Sequence, residues 1–179
     1  MARKLNEKGK NELISWIKSV AIALLLAVLI RQFLYTPVTV SGQSMEPTFE
    51  HDNRIVITKI HNIERSDMIV FHSPYSEDDF IKRVIGLPGD VVIMKDDQLY
   101  INGETFEEEY IAANKEKIHE GQKLTENFEV EVPEGHYYVL GDNRQNSTDS
   151  RTIGFINRES IVGKVSFRFY PIKAIGIPK

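Results

Sequence analysis

The sequence has 179 residues, 41% of them hydrophobic and 27% charged, which is typical of one globular domain or of one domain behind an anchor. It contains no cysteine, so disulfide bonds and thiolate metal sites are excluded. The net charge of -4 gives no reason to expect a nucleic-acid partner. The five histidines lack metal-binding spacing, so we expect neither a metal nor another cofactor.

The first 35 residues change sharply in polarity. Residues 1–12 carry four basic and two acidic side chains, and residues 13–35 are almost wholly apolar. The uninterrupted apolar run is short for a membrane span, but its flanks extend it to roughly 20 residues. We therefore predict a transmembrane anchor at 13–35. A cleaved signal peptide is the alternative, and it is disfavoured because no small-x-small cleavage site precedes Pro37.

The charge distribution around the anchor predicts its orientation. Positive charge on the N-terminal side is typical of a cytoplasmic flank. We expect residues 1–12 to form a basic cytoplasmic tail and residues 36–179 to form one domain outside the cell membrane. The expected localisation is the cell membrane, with a single pass through the lipid bilayer.

From residue 36 onward the pattern is that of β-structure. Short β-branched or aromatic runs are bounded by turn residues, and the pair Asn102-Gly103 marks a hairpin tip. No strand alternates with a helix, which favours a mainly β, mostly antiparallel fold. The stretch 95–132 is acidic, and we expect a solvated insertion. The predicted strands are 38–40, 54–58, 68–71, 81–85, 91–93, 98–101, 137–140 and 161–169.

A serine in a turn is the first candidate for chemistry. Ser44 follows Gly42 in the segment 41–48 (SGQSMEPT), where a glycine lets the backbone approach a substrate closely. The nucleophile elbow G-x-S-x-G fails, because Glu46 stands at its second glycine. Most serines of this kind only shape a turn, and no histidine supports a Ser-His-Asp triad.

Lys82 is the more informative residue. It lies beside Arg83 in the apolar run 80–85 (FIKRVI), where strand alternation sends the two cations to opposite faces. If Arg83 meets solvent or a carboxylate, Lys82 faces a partly buried surface that lowers its pKa. A neutral lysine can take the proton of a serine hydroxyl. The alternative is an edge lysine whose amine reaches water.

Three motifs together resemble the type I signal peptidase family. They are 41–48 (SGQSMEPT), 82–90 (KRVIGLPGD) and 141–151 (GDNRQNSTDSR), and the resemblance covers the chain from about residue 12. The first motif is shared with self-cleaving repressors of the LexA type, whereas the other two are more specific. A single N-terminal anchor is similar to the Gram-positive form. The resemblance implies an antiparallel, barrel-like catalytic domain with a small inserted subdomain, which removes signal peptides from secretory precursors after small residues.

The resemblance also implies roles for individual residues. Ser44 matches the nucleophile, whose own backbone N–H is an oxyanion donor, and Lys82 matches the general base. Ser147 matches a serine that orients the lysine, and Asp149 and Arg151 match a structural ion pair. The further implied positions are Asp142, which shapes the loop of the third motif, and a substrate-binding set of Val40, Ser41, Gly42, Met45, Val84 and Ile85.

One position departs from part of the family. Some members have a serine two residues before the nucleophile, which supplies a second oxyanion hydroxyl, whereas this chain has Gly42. A backbone donor or a water is expected to replace it. About nine residues separate Tyr35 from Ser44, and even when extended they reach roughly 30 Å. We therefore expect catalysis at the bilayer surface, with the substrate added as a strand against 38–42 and 84–87.

Three other functions fit parts of the pattern. A membrane-anchored Ser-Lys protease could process a single dedicated precursor, and no residue discriminates against it. A repressor would need an N-terminal DNA-binding domain, which the apolar segment replaces. A catalytically silent, membrane-tethered binding module would not need Ser44 and Lys82 together. The sequence does not predict an oligomeric state.

Overall fold

The computed structural model describes residues 2–59, 62–119 and 121–178, in two compact units, Met1–Thr36 and Pro37–Lys179. The first unit is dominated by helix α1 (Ala2–Phe33). Its segment Gly9–Arg31, with a mean hydropathy of 2.5, is long and apolar enough to cross a membrane. The helix starts within the basic tail, and the last two residues of the predicted anchor are not helical, because Tyr35 begins a strand.

The second unit is built from β-strands that are mostly antiparallel, which confirms the fold class. The strands are β1 (Tyr35–Thr39), β2 (Arg54–Thr58), β3 (Met68–His72), β4 (Asp79–Gly86), β5 (Val91–Lys95), β6 (Gln98–Ile101), β7 (Glu104–Phe106), β8 (Phe128–Glu131), β9 (His136–Leu140), β10 (Ile156–Asn157) and β11 (Ile161–Tyr170). Two short helices, α2 (Ala112–Lys115) and α3 (Ser150–Ile153), and three 3₁₀ turns connect them.

The larger sheet has seven strands in the order β1-β2-β11-β3-β4-β9-β10. The two edges of strand β4 are used differently. Residues 79–83 pair with β3 on one side, whereas β9 pairs on the other side only from Arg83 onward. Residues 79–82 of β4 therefore keep one edge without a strand partner among the described residues.

The smaller sheet has four strands in the order β7-β6-β5-β8, and it includes much of the acidic insertion. The hairpin predicted at Asn102-Gly103 is confirmed: the two residues have φ of 54° and 84°, the left-handed values that Asn and Gly adopt most readily. The expectation of a merely solvated insertion is wrong in part. Its side chains of Glu108, Ile111 and Leu124 are buried.

The core forms because apolar side chains alternate with more exposed ones along the strands. In β2, Ile55 and Ile57 are fully buried and Val56 between them is more exposed. The buried apolar side chains form three clusters. The loop after β1 is fixed to one of these clusters, because Met45 and Phe49 are buried in it. Burial of two large apolar side chains stabilises that loop by roughly 3–6 kcal/mol before the entropy of ordering is subtracted.

Candidate active site

A cleft of about 430 Å³ opens on the larger sheet of the second unit. One wall is the segment 38–44, which begins in β1, and the other wall is residues 79–82 of β4. Ile55 and Val70 form an apolar floor, and residues 145–148 close one end. The unpaired edge of β4 therefore faces the segment 38–42 across an open groove, an arrangement that can accept an extended peptide.

Ser44 and Lys82 meet in this cleft. The Lys82 Nζ lies 2.7 Å from the Ser44 Oγ and 2.8 Å from the Ile81 carbonyl oxygen. The lysine is only 4% exposed, and its amine lies 5.2 Å from the centre of the Phe80 ring. Two residues separated by 38 positions in the chain are thus within proton-transfer distance.

The electrostatic environment of Lys82 favours the neutral amine. Burial lowers its pKa from 10.5 to about 8, and this effect outweighs the carboxylates of Asp149 and Asp142, which raise it. Burial disfavours an ammonium because the charge loses its hydration. At mildly alkaline pH a large fraction of Lys82 can therefore act as a base.

The loop that carries Ser44 is held by the segment 141–151. The Asn143 backbone N–H donates to the Ser44 carbonyl over 3.0 Å, and the Asn143 side-chain amide donates to the Gln43 carbonyl over 3.1 Å. The Thr48 hydroxyl donates to the Asp142 carboxylate. These contacts fix the loop that carries Ser44 from both sides.

Two ion pairs, one of them fully buried, hold the segment 141–151 itself. Arg83 donates to both carboxylate oxygens of Asp142 over 2.9 and 2.8 Å, and both side chains are buried. Arg151 donates to Asp149 in the same bidentate way over 2.8 and 2.7 Å. Burial raises the pKa of Asp149, but hydrogen bonds and charge from Arg151 hold that pKa below its usual value. Such pairs are directional, and breaking one partner is costly.

The family follows from the comparison with known sequences. A family model described as signal peptidase, peptidase S26, matches residues 13–170. The chain belongs to the signal peptidase family. It is accordingly a serine peptidase, as the sequence motifs imply.

Similar proteins support the assignment over almost the whole chain. Signal peptidase I of Bacillus amyloliquefaciens is 44% identical over 181 residues, which cover 97% of this chain and 97% of that protein. Signal peptidase IB of Staphylococcus aureus is 41% identical over 177 residues, which cover 90% and 92% of the two chains. A crystal structure of a signal peptidase I from Enterococcus faecalis is 40% identical, with a TM-score of 0.58, over 60% of this chain and 99% of that chain.

In this family member the site brings together most of the residues singled out in the sequence. Ser44, Lys82 and Ser147 line the cleft, and so do Val40, Ser41 and Gly42. Asp142 forms an ion pair with Arg83, and Asp149 forms one with Arg151. The Ser147 hydroxyl is buried and makes no hydrogen bond to Lys82, but it lies close enough to Asp149 to help lower the pKa of that carboxyl. The expected bond between Ser147 and Lys82 is therefore not formed in this structure.

Three of the expected substrate-binding residues do not line the cleft. Met45, Val84 and Ile85 are at most 1% exposed and belong to the apolar clusters. The reason is strand pairing: Val84 and Gly86 pair with Val139 and Tyr138 of β9, so the edge of β4 that is open at 79–82 is covered from Arg83 to Gly86. Asp79, Phe80 and Ile81 form that wall instead. The sequence carried no signal for this, because the edge of β4 is set by where β9 begins to pair.

Gly42 has a defined backbone role in the loop. Its φ is +86°, a conformation that glycine adopts without the strain met by other residues. Its backbone N–H donates to His51 Nδ1 over 3.1 Å, which requires an unprotonated nitrogen at that position. Because this N–H already has an acceptor, it is not a free second oxyanion donor.

Proposed function

We propose that this chain is a membrane-anchored endopeptidase with a Ser44-Lys82 dyad, which removes N-terminal signal peptides from secretory precursors. The observation that carries the proposal is the 2.7 Å separation of Ser44 Oγ and Lys82 Nζ in a site where the lysine is buried. The relatives described above are signal peptidases, which supports the substrate class.

The dyad supplies both proton transfers of a serine peptidase. Neutral Lys82 takes the hydroxyl proton as Ser44 Oγ attacks the carbonyl carbon, and the resulting ammonium gives that proton to the leaving amine. Water then attacks the acyl-enzyme with Lys82 again acting as base, which restores the free serine and releases the signal peptide as an acid. The backbone N–H of Ser44 is the proposed oxyanion donor.

The cleft geometry supports the substrate preference. A peptide laid between 38–42 and 79–82 would complete both strand edges by backbone hydrogen bonds, which depend little on sequence. Alternate side chains of such a strand would point at the floor formed by Ile55 and Val70. A shallow apolar floor favours small side chains at the positions one and three residues before the cleaved bond.

Ser147 has a proposed role because its buried hydroxyl lines the cleft together with Ser44 and Lys82. We assign it the orientation of the neutral Lys82 amine, to which its hydroxyl would donate. Asp149 and Arg151 would keep the loop that carries it in place.

The test is cleavage of a secretory precursor by the purified protein, with sequencing of the new N-terminus. Ser44→Ala and Lys82→Met should each abolish processing, because both remove the same step. Lys82→Arg should be equally inactive, since a guanidinium does not lose its proton. Ser147→Ala should lower kcat strongly and leave KM nearly unchanged.

Matched controls are available away from the cleft. Lys164→Met removes a lysine that pairs with Asp67, and Ser160→Ala removes a hydroxyl that donates to the nearby Asn157 carbonyl. Both controls should process the precursor normally. Processing by Ser44→Ala or Lys82→Met would overturn the dyad, and binding without cleavage by the wild-type protein would favour the binding module.

A further inference from the structure

One side chain of the acidic insertion reaches the nucleophile loop. The Asn114 amide, in α2, donates to the Glu46 carbonyl and to the Asp142 carbonyl, each over 3.0 Å. Both partners are backbone oxygens that only accept, so the amide nitrogen and not its oxygen must face them. Glu46 lies two residues after Ser44, and Asp142 opens the segment that carries Ser147. One amide thus joins the two segments that carry these serines.

We propose that Asn114 is a positioning residue, which holds the Ser44 loop at a fixed distance from the segment 141–151. The acidic insertion then contributes to catalysis by positioning the Ser44 loop, without contacting the substrate. The inference rests on the proposed function, because it presumes that Ser44 is the nucleophile.

The insertion is rigid at this point because its preceding turn is tied down. Glu108 accepts from Arg144 in an ion pair whose two side chains are at most 1% exposed. The Tyr110 hydroxyl donates to Glu108 over 2.6 Å, and the Arg83 guanidinium lies 3.9 Å from the centre of the Tyr110 ring. The residues just before Asn114 are therefore fixed to the same segment and to the strand of Lys82.

The two segments joined by Asn114 have no spare room between them. A methyl group added at Gly141 would lie 2.5 Å from the Ser44 carbonyl oxygen and 2.2 Å from the Ser147 hydroxyl oxygen. Lys82 lies on β4 and in neither segment. A shift of the segment 141–151 against the Ser44 carbonyl would therefore displace Ser44 relative to Lys82. Misplacement of a reacting group by about 1 Å can cost roughly a hundredfold in rate.

The test compares Asn114→Ala with the isosteric Asn114→Asp on a soluble peptide substrate at mildly alkaline pH. We expect kcat to fall roughly tenfold to a hundredfold in both variants, with KM within about twofold. The aspartate keeps the shape of the side chain, but it has no hydrogen to donate and its charge faces two carbonyl oxygens. A residue that only fills space would tolerate aspartate and suffer from alanine.

A matched control lies in the same insertion. Asn127→Ala removes a side chain that accepts from the Asp96 backbone N–H over 3.0 Å, far along the chain from the nucleophile loop. This variant should lose some thermal stability while its kcat stays at the wild-type value. It separates damage to the insertion from loss of the Asn114 hydrogen bonds.

A second readout is the pH dependence of kcat/KM. Loosening of the two segments admits water to Lys82, which raises its pKa. The pH at which the rising kcat/KM reaches half its maximum should therefore increase in Asn114→Ala and stay unchanged in Asn127→Ala. The inference would be overturned if both Asn114 variants had the wild-type kcat and the wild-type pH dependence of kcat/KM. If Ser44→Ala still cleaves in the same assay, the proposed function itself fails. An inactive Ser44→Ala beside normal Asn114 variants refutes only the positioning role.

Discussion

If Lys82 is the general base as proposed, its burial should set the pH dependence of the reaction. Burial lowers its pKa to about 8, against 10.5 for a free lysine, and the neutral amine exists above the pKa. We therefore expect kcat/KM to rise with pH and to reach half its maximum at about pH 8, where a free lysine would be below ~1% neutral. The measurement is kcat/KM on a peptide substrate from about pH 6 to about pH 11, a range that spans both pKa values.

An internal check uses the carboxylate of Asp149, which raises the pKa of Lys82. Asp149→Asn should lower the pKa of Lys82, both because that carboxylate is gone and because the positive charge of Arg151 is left uncompensated. The rise of kcat/KM should then occur at lower pH. Asp67→Asn, which alters the pair with Lys164, should leave the pH dependence of kcat/KM unchanged. If kcat/KM of the wild-type enzyme instead reaches half its maximum near pH 10.5, the pKa of a free lysine, Lys82 is not the base.

The sequence predicted the direction of a side chain where strand alternation determines it. It sent Lys82 and Arg83 to opposite faces, with Lys82 toward a partly buried surface if Arg83 meets solvent or a carboxylate, and in the structure Arg83 pairs with the carboxylate of Asp142. It did not anticipate that Met45, Val84 and Ile85 are buried. Alternation fixes which way a side chain points, but only tertiary pairing decides which edge stays open.

Strands with clear hydrophobic patterns were predictable, whereas three short strands, two of them rich in glutamate, were not. All eight predicted strand ranges overlap strands of the structure, but β7, β8 and β10 were missed. Strand β8 alternates glutamates with Phe128 and Val130, and it exists because β5 pairs with it. The turn at Asp96 and Asp97, with φ of 49° and 60°, was also missed, because it lacks the glycine that usually marks such a turn.

Gly141, which directly follows β9, lies close to the loop that carries Ser44. Gly141→Ala should place a methyl group against the Ser44 carbonyl and Ser147, at distances that force the two segments apart. We expect a loss of about 1–3 kcal/mol in the free energy of unfolding and a large loss of kcat. Thermal denaturation and peptide cleavage measure the two effects.

Gly103→Ala is the control for this substitution. Its φ is +84°, so the backbone is strained by alanine, but an added methyl group meets nothing within 4 Å. It should lose about 1 kcal/mol of stability and keep its kcat. Equal kcat values for the two variants would mean that the close approach at Gly141 does not matter for the dyad.

At the scale of the whole molecule, the chain is an apolar helix followed by a separate β unit. The helix has a span of 23 residues, Gly9–Arg31, and its described apolar side chains, among them Trp16 and Leu24, are exposed. Exposure of so many apolar groups in water is unfavourable. A lipid bilayer is the environment in which this helix would be stable, and we propose that it anchors the peptidase there.

The orientation of that anchor is the last prediction. Four basic residues precede the apolar segment, and an excess of positive charge marks the cytoplasmic side. A protease added to intact spheroplasts should therefore digest the unit after about Val38 and spare a tag on the N-terminus. Replacing Arg3, Lys4, Lys8 and Lys10 by glutamine should weaken this bias, because the charge that retains the tail is gone, and inside-out vesicles should reverse the pattern. Protection of the β unit in spheroplasts, with digestion of the tag, would place the dyad in the cytoplasm, where exported signal peptides do not emerge.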